Sequence, residues 1–114
     1  MGLDTFDDDR DNIVTGQYST ATGPVLRGLE IELARITFEP GGGAVLHSHP
    51  EEQIVYLLEG RARVTLGDEV YEVGPGQASY HPPNVPHAFE AIDGMTALSF
   101  KRVVAPIYAA TGDL

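Results

Sequence analysis

The chain has 114 residues, enough for one compact domain and too few for two. Its 17 acidic and 7 basic residues give a formal net charge of -10, which argues against nucleic acid and anionic membrane surfaces as partners, since both need a basic patch. No cysteine is present, so disulfides, thiolate metal sites and cysteine nucleophiles are excluded.

The first residues lack the positive start and apolar core of a signal peptide, and no apolar run reaches transmembrane length. A cytoplasmic protein is the expectation. Five Asp crowd the first dozen residues, and Asp7-x-Asp9-x-Asp11 has the spacing of a calcium loop. Asn12 and Tyr18 stand where that loop needs Gly and Glu, so residues 1–15 are read as an acidic, partly disordered tail. Residues 16–114 are read as one domain.

From Leu29 the pattern has period two, with Leu29, Ile31 and Leu33 on one parity and Ile36 and Phe38 on the other. That shift predicts a bulge near Ala34 or Arg35. Pro40-Gly41-Gly42-Gly43 closes the strand. The unbroken apolar run Ile54-Val55-Tyr56-Leu57-Leu58 predicts a strand buried on both faces, and Arg61 to Leu66 alternates with Ala62, Val64 and Leu66 inward. Gly67-Asp68 predicts a hairpin turn before Val70 to Val73. Gly74-Pro75-Gly76 marks a turn, and Pro82-Pro83-Asn84-Val85-Pro86 an extended loop. Two last strands are expected, from His87 to Ala91 and from Thr96 to Val104, joined through Asp93-Gly94. Short strands punctuated by Gly and Pro, without helical periodicity, indicate an all-β sandwich or barrel.

His47, His49 and His87 have the donor type for zinc, copper, iron or nickel, and a side-chain carbonyl such as that of Gln53 is an acceptable harder ligand. Alternate strand residues share a face, so His47 and His49 can aim at one point. Glu52 competes with Gln53, because a carboxylate is the better ligand for a dication, while Glu51 beside Pro50 is placed at the solvent rim. One divalent transition ion (Zn, Ni, Fe, Mn or Cu) is expected. If Gln53 is the fourth ligand, all donors are neutral and about two positive charges stay uncancelled, favouring an anionic or carbonyl-bearing guest.

Gly41-(x5)-His47-Ser-His49-(x3)-Gln53-(x6)-Gly60 resembles the first cupin motif, which usually ends its ligand set in Glu where this chain has Gln53. Gly74-Pro75-Gly76 followed by Pro82-Pro83-Asn84-Val85-Pro86-His87 resembles the second, which supplies the third histidine. The resemblance implies a small single-domain cupin: a double-stranded β-helix, or jelly-roll barrel, with the metal inside and pairing of copies into a homodimer through the sheets. His-Ser-His-Pro-x-Glu-Gln, Tyr-x-Leu-x-Gly and Pro-Pro-Asn-Val-Pro-His are similar to the pectin-degradation cupins, which act on unsaturated uronates. That subgroup uses three His and one Gln, matching His47, His49, Gln53 and His87. Phe100 aligns with the subgroup's Phe, whereas Leu98 stands where its Asp would be.

His81 lies outside the metal pattern and is read either as a strand-end histidine or as a substrate-facing acid or base near the barrel mouth. Tyr56 and Phe89 are expected in core packing, and Arg61, Arg63 and Arg102 in solvent. The function expected is Lewis-acid chemistry of isomerase or lyase type on a small polar or sugar-derived acid, the small-molecule partner. A metal-dependent dioxygenase and a non-catalytic ligand-binding module are the alternatives.

Overall fold

The computed structural model describes residues 2, 3, 5–7 and 19–103. Most of the expected acidic tail lies outside the described residues; within it, the Phe6 carbonyl accepts a hydrogen bond from Arg35 Nη1 at 3.0 Å. Seven strands follow: β1 (Val25–Arg27), β2 (Ile31–Phe38), β3 (Gly43–His47), β4 (Gln53–Leu66), β5 (Glu69–Val73), β6 (Ala78–His81) and β7 (His87–Arg102). Every pairing is antiparallel. Among the described residues no helix is long and apolar enough to cross a membrane.

The two long strands organise the barrel. β4 and β7 pair from Gln53↔Lys101 to Leu66↔His87, with register shifts between Leu57 and Glu59 and between Gly60 and Ala62. Gly60 sits at the bend with φ 83°, and a Cβ there would lie 2.0 Å from the Gly94 carbonyl oxygen, so only glycine lets the strands cross so closely. Before the bend, β4 and the end of β7 join β1, β2 and β6 in one sheet, ordered β1-β2-β7-β4-β6. Beyond it, the other halves join β3 and β5, ordered β3-β7-β4-β5. Two sheets sharing two bent strands close over one core, the double-stranded β-helix expected. Ile36, Phe38, Val55, Leu57, Val64 and Met95 fill it. Each buried Val or Leu contributes about 1.5–3 kcal/mol.

The Gly67-Asp68 hairpin forms as expected between Leu66 and Glu69. Three local expectations are corrected. β2 pairs with β7 without interruption from Ile31↔Arg102 to Phe38↔Met95, so there is no bulge near Ala34 or Arg35. Glu32 and Ala34 point inward with Ile36 and Phe38, while Ile31 is 74% exposed. The Ile54–Leu58 run is buried on one face alone, because Val55 and Leu57 are enclosed and Ile54, Tyr56 and Leu58 face out. The two last strands are one, since β7 runs through Asp93-Gly94, where Gly94 (φ 76°) absorbs the bend.

Candidate metal centre

His47 ends β3 opposite His87, which begins β7, so the sheet register itself sets these two imidazoles side by side. His49 lies past the end of β3, and strand parity does not place it. Its carbonyl accepts from the Asn84 amide at 2.8 Å, which ties the His-Ser-His loop to the Pro82–Pro86 loop. The ring centroids are 4.4 Å apart for His47–His87, 4.8 Å for His49–His87 and 5.5 Å for His47–His49. Their candidate ligand atoms all fall within 4.8 Å of one another.

Each ring is oriented in the same way. The Nδ1–H groups of His47, His49 and His87 donate to the carbonyls of Val45 (2.7 Å), Glu51 (2.8 Å) and Val85 (2.9 Å). Using Nδ1 as the donor leaves Nε2 of each ring with its lone pair, the form a metal needs. His87 Nε2 is buried without a hydrogen-bond partner. A buried unpaired acceptor costs about 1–3 kcal/mol, so it calls for a ligand. Burial, the largest cause, lowers the basicity of all three rings, to about 4 for His49 and His87; Lys101 adds a repulsive positive charge at each. The rings are therefore neutral at pH 7, and the residues present fit a divalent ion held by three imidazoles.

The opposite wall is a single polar row. β2, β7, β4 and β6 place Glu32, Lys101, Gln53 and His81 in register, all on the inner face. Gln53 lines the cavity, its Nε2 donates to Ser99 Oγ at 2.8 Å, and a side-chain hydrogen bond links Gln53 to His49. Glu52 does not share that wall: it is exposed and accepts from Tyr80 OH at 2.9 Å. Glu51 is not at the solvent rim. It is 1% exposed, with Oε1 3.6 Å from His49 Nδ1, because the loop folds it beneath the histidine it supports.

His81 does not stand at the barrel mouth. It ends β6 in an alternating burial pattern that also encloses Ser79, and it is fully buried. Its ring lies 4.5 Å from that of His87 and stacks on Phe89 at 5.1 Å. Its Nε2 bonds Ser79 Oγ at 2.8 Å, which in turn meets Tyr71 OH at 2.6 Å. Desolvation, and then the neighbouring His87, push its pKa down to about 3. The arginines behave as expected on the outside, with Arg61 paired to Glu72 and Arg63 to Glu90.

Ser99 and the buried Glu32 and Lys101 were not singled out as site residues from the sequence, yet they line the same small cavity of about 60 Å³ as the histidines. A signal existed: Ala97 and Ser99, small residues on the parity of Lys101, mark the inward face of β7.

The cupin domain family matches residues 34–100, more than half of the chain. This chain belongs to the cupin family. It is 39% identical over 85 residues to the uncharacterized protein MJ1618 of Methanocaldococcus jannaschii, covering 66% of this chain and 68% of that protein. Oxalate decarboxylase OxdC of Bacillus subtilis is 32% identical over 98 residues, covering 78% of this cupin and 25% of the relative, so the chain spans a quarter of that enzyme. A structure of that decarboxylase, with its Mn(II) centers, superposes with a TM-score of 0.72 at 21% identity, covering 96% of this chain and 37% of that one. KdgF from Halomonas sp. matches with a TM-score of 0.75 at 19% identity, covering 90% of this chain and 96% of that one, a likeness of fold.

Proposed function

We propose that this cupin holds one divalent transition-metal ion on His47, His49, His87 and Gln53 and acts on a small polar acid by isomerase- or lyase-like chemistry. The observation that carries the reading is the shared orientation of the three rings, each Nδ1 spent on a backbone carbonyl and His87 Nε2 buried without a partner. The bound ion would supply Lewis acidity toward a carbonyl or carboxylate oxygen. Gln53, tethered to Ser99, contributes its amide oxygen and leaves the charge of the ion uncancelled. Phe38 and Phe89 line the cavity and exclude water from the guest's far side. His81 serves as a positioning residue, its ring against His87 fixing that imidazole from behind.

Size narrows the guest. A cavity of about 60 Å³ has room for about four water-sized groups. That suits an acid of a few heavy atoms. The 32% identity to an enzyme named oxalate decarboxylase supports the same class. The choice among Zn, Ni, Fe, Mn and Cu follows from elemental analysis of protein purified without added metal. The loaded protein is then incubated with two- to four-carbon hydroxy and keto acids and followed by NMR. Conversion without oxygen consumption supports the reading. Oxygen uptake on an iron-loaded protein replaces it with a dioxygenase, and tight binding without turnover replaces it with a ligand-binding module.

We assign this cupin to the cytoplasm and to a homodimer formed through the outer face of the β1-β2-β7-β4-β6 sheet. Leu26, Leu33, Phe100, Ile54 and Tyr80 lie in register across all five strands of that face. Leu26, Phe100, Ile54 and Tyr80 each remain 43–48% exposed, a continuous apolar row of the kind that marks an interface.

A further inference from the structure

The geometry points to Lys101 as the residue that selects an anionic guest, its ammonium forming the second anchor for a carboxylate held in the histidine cavity. This deepens the metal-bound small-acid reading and rests on it. Lys101 is the chain's single lysine, its side chain is 6% exposed, and it lines the cavity with His47, His49 and His87. Burying an ammonium costs several kcal/mol that an apolar residue of the same length would avoid, so packing does not explain a lysine here.

Glu32 does not rely on Lys101 alone. Arg27 already donates to Glu32 Oε2 from both Nε (2.9 Å) and Nη2 (2.7 Å). Lys101 Nζ stands 3.9 Å from Glu32 Oε1, within charge-pairing range and beyond a hydrogen bond. Desolvation lowers the basicity of the Lys101 amine, and Glu32 and the buried Glu51 act against it in favour of the charged form. On the wall Glu32 and Lys101 balance, and around it Arg27 and Glu51 balance, so these groups add no net negative charge to offset an ion on the histidines. The register seats Lys101 beside Gln53 in the row facing those rings. Its positive charge reaches all three of them. A carboxylate has two oxygens and can meet both charges; the matching primary amide cannot supply the second anion contact.

The test compares glycolate with glycolamide, which share a size and a chelating hydroxyl and differ in charge. Binding of each to the Mn(II)-loaded wild type, Lys101→Met and Lys101→Gln is measured by calorimetry, with metal content and circular dichroism recorded on the same samples. The expected result is that wild type prefers glycolate at least about tenfold, the uncharged variants keep their metal, and the preference shrinks to about threefold or less. Equal binding of acid and amide by the wild type overturns the assignment even if both variants fail to fold. A folded, metal-loaded variant that keeps the full preference also overturns it and leaves the metal site standing. Failure of the wild type to take up metal defeats the metal reading and this assignment together.

Discussion

Acidifying the metal-free protein from pH 7 to pH 5 should destabilise it. His49 and His87 are held at about 4 and His81 at about 3, against 6.5 for an ordinary imidazole, with desolvation the largest cause in each. The unfolded chain takes up these protons near pH 6.5, whereas the folded chain resists them until about 4. Between those values the unfolded state binds more protons, so stability is fully present above 6.5 and is lost as pH falls through that window. At pH 5, each unfolded imidazole contributes about 2 kcal/mol, or about 6 kcal/mol for three. Solvent screening at a cavity open to water halves this to about 3 kcal/mol. For a domain of this size the melting temperature should fall by about 10 °C between pH 7 and pH 5. Thermal melts with a chelator present, followed by circular dichroism, measure it. A melting temperature constant within about 2 °C would refute the claim that these rings are buried and neutral.

Gln53→Glu places a carboxylate among the imidazoles and should tighten divalent-metal binding by about tenfold or more while weakening glycolate binding; competition with a fluorescent chelator and calorimetry read the two effects. Gly60→Ala forces φ 83° on a residue with a Cβ that would sit 2.0 Å from the Gly94 carbonyl, and urea denaturation should show a loss of about 3 kcal/mol or more. Phe100→Glu puts a charge in the middle of the exposed apolar row; light scattering should find a dimer for the wild type and a monomer for the variant, with the melting temperature little changed.

Much of the centre was legible because glycine, proline and histidine carry positional meaning. Gly67-Asp68, Gly74-Pro75-Gly76 and the proline loop before His87 each require turn geometry, and the structure keeps them. The inner wall was harder to read. Hydrophobicity is a guide to the inside of a sheet when the outside is polar, and here Ile31, Leu33, Ile54 and Phe100 make the outer face as apolar as the inner. That reversed the parity of the start of β2 and hid Glu32 and Lys101, whose charges argue for solvent unless the register is known. Asp93-Gly94 reads as a turn by composition, yet β7 bends and continues there, pairing with β4 on either side through Ala62↔Ala91 and Gly60↔Met95. Glu51 is enclosed because His49 and Asn84 pull its loop over it, a tertiary effect with no local signature.

The most direct measurement is metal stoichiometry after chelation and reloading, in the wild type and in His47→Ala, His49→Ala and His87→Ala. About one tightly bound transition ion per wild-type chain, falling to about a tenth or less in each folded variant, is the outcome these oriented imidazoles require. A wild type that stays empty, or variants that load as fully as it does, would show that the three rings meet for some purpose other than holding a cation.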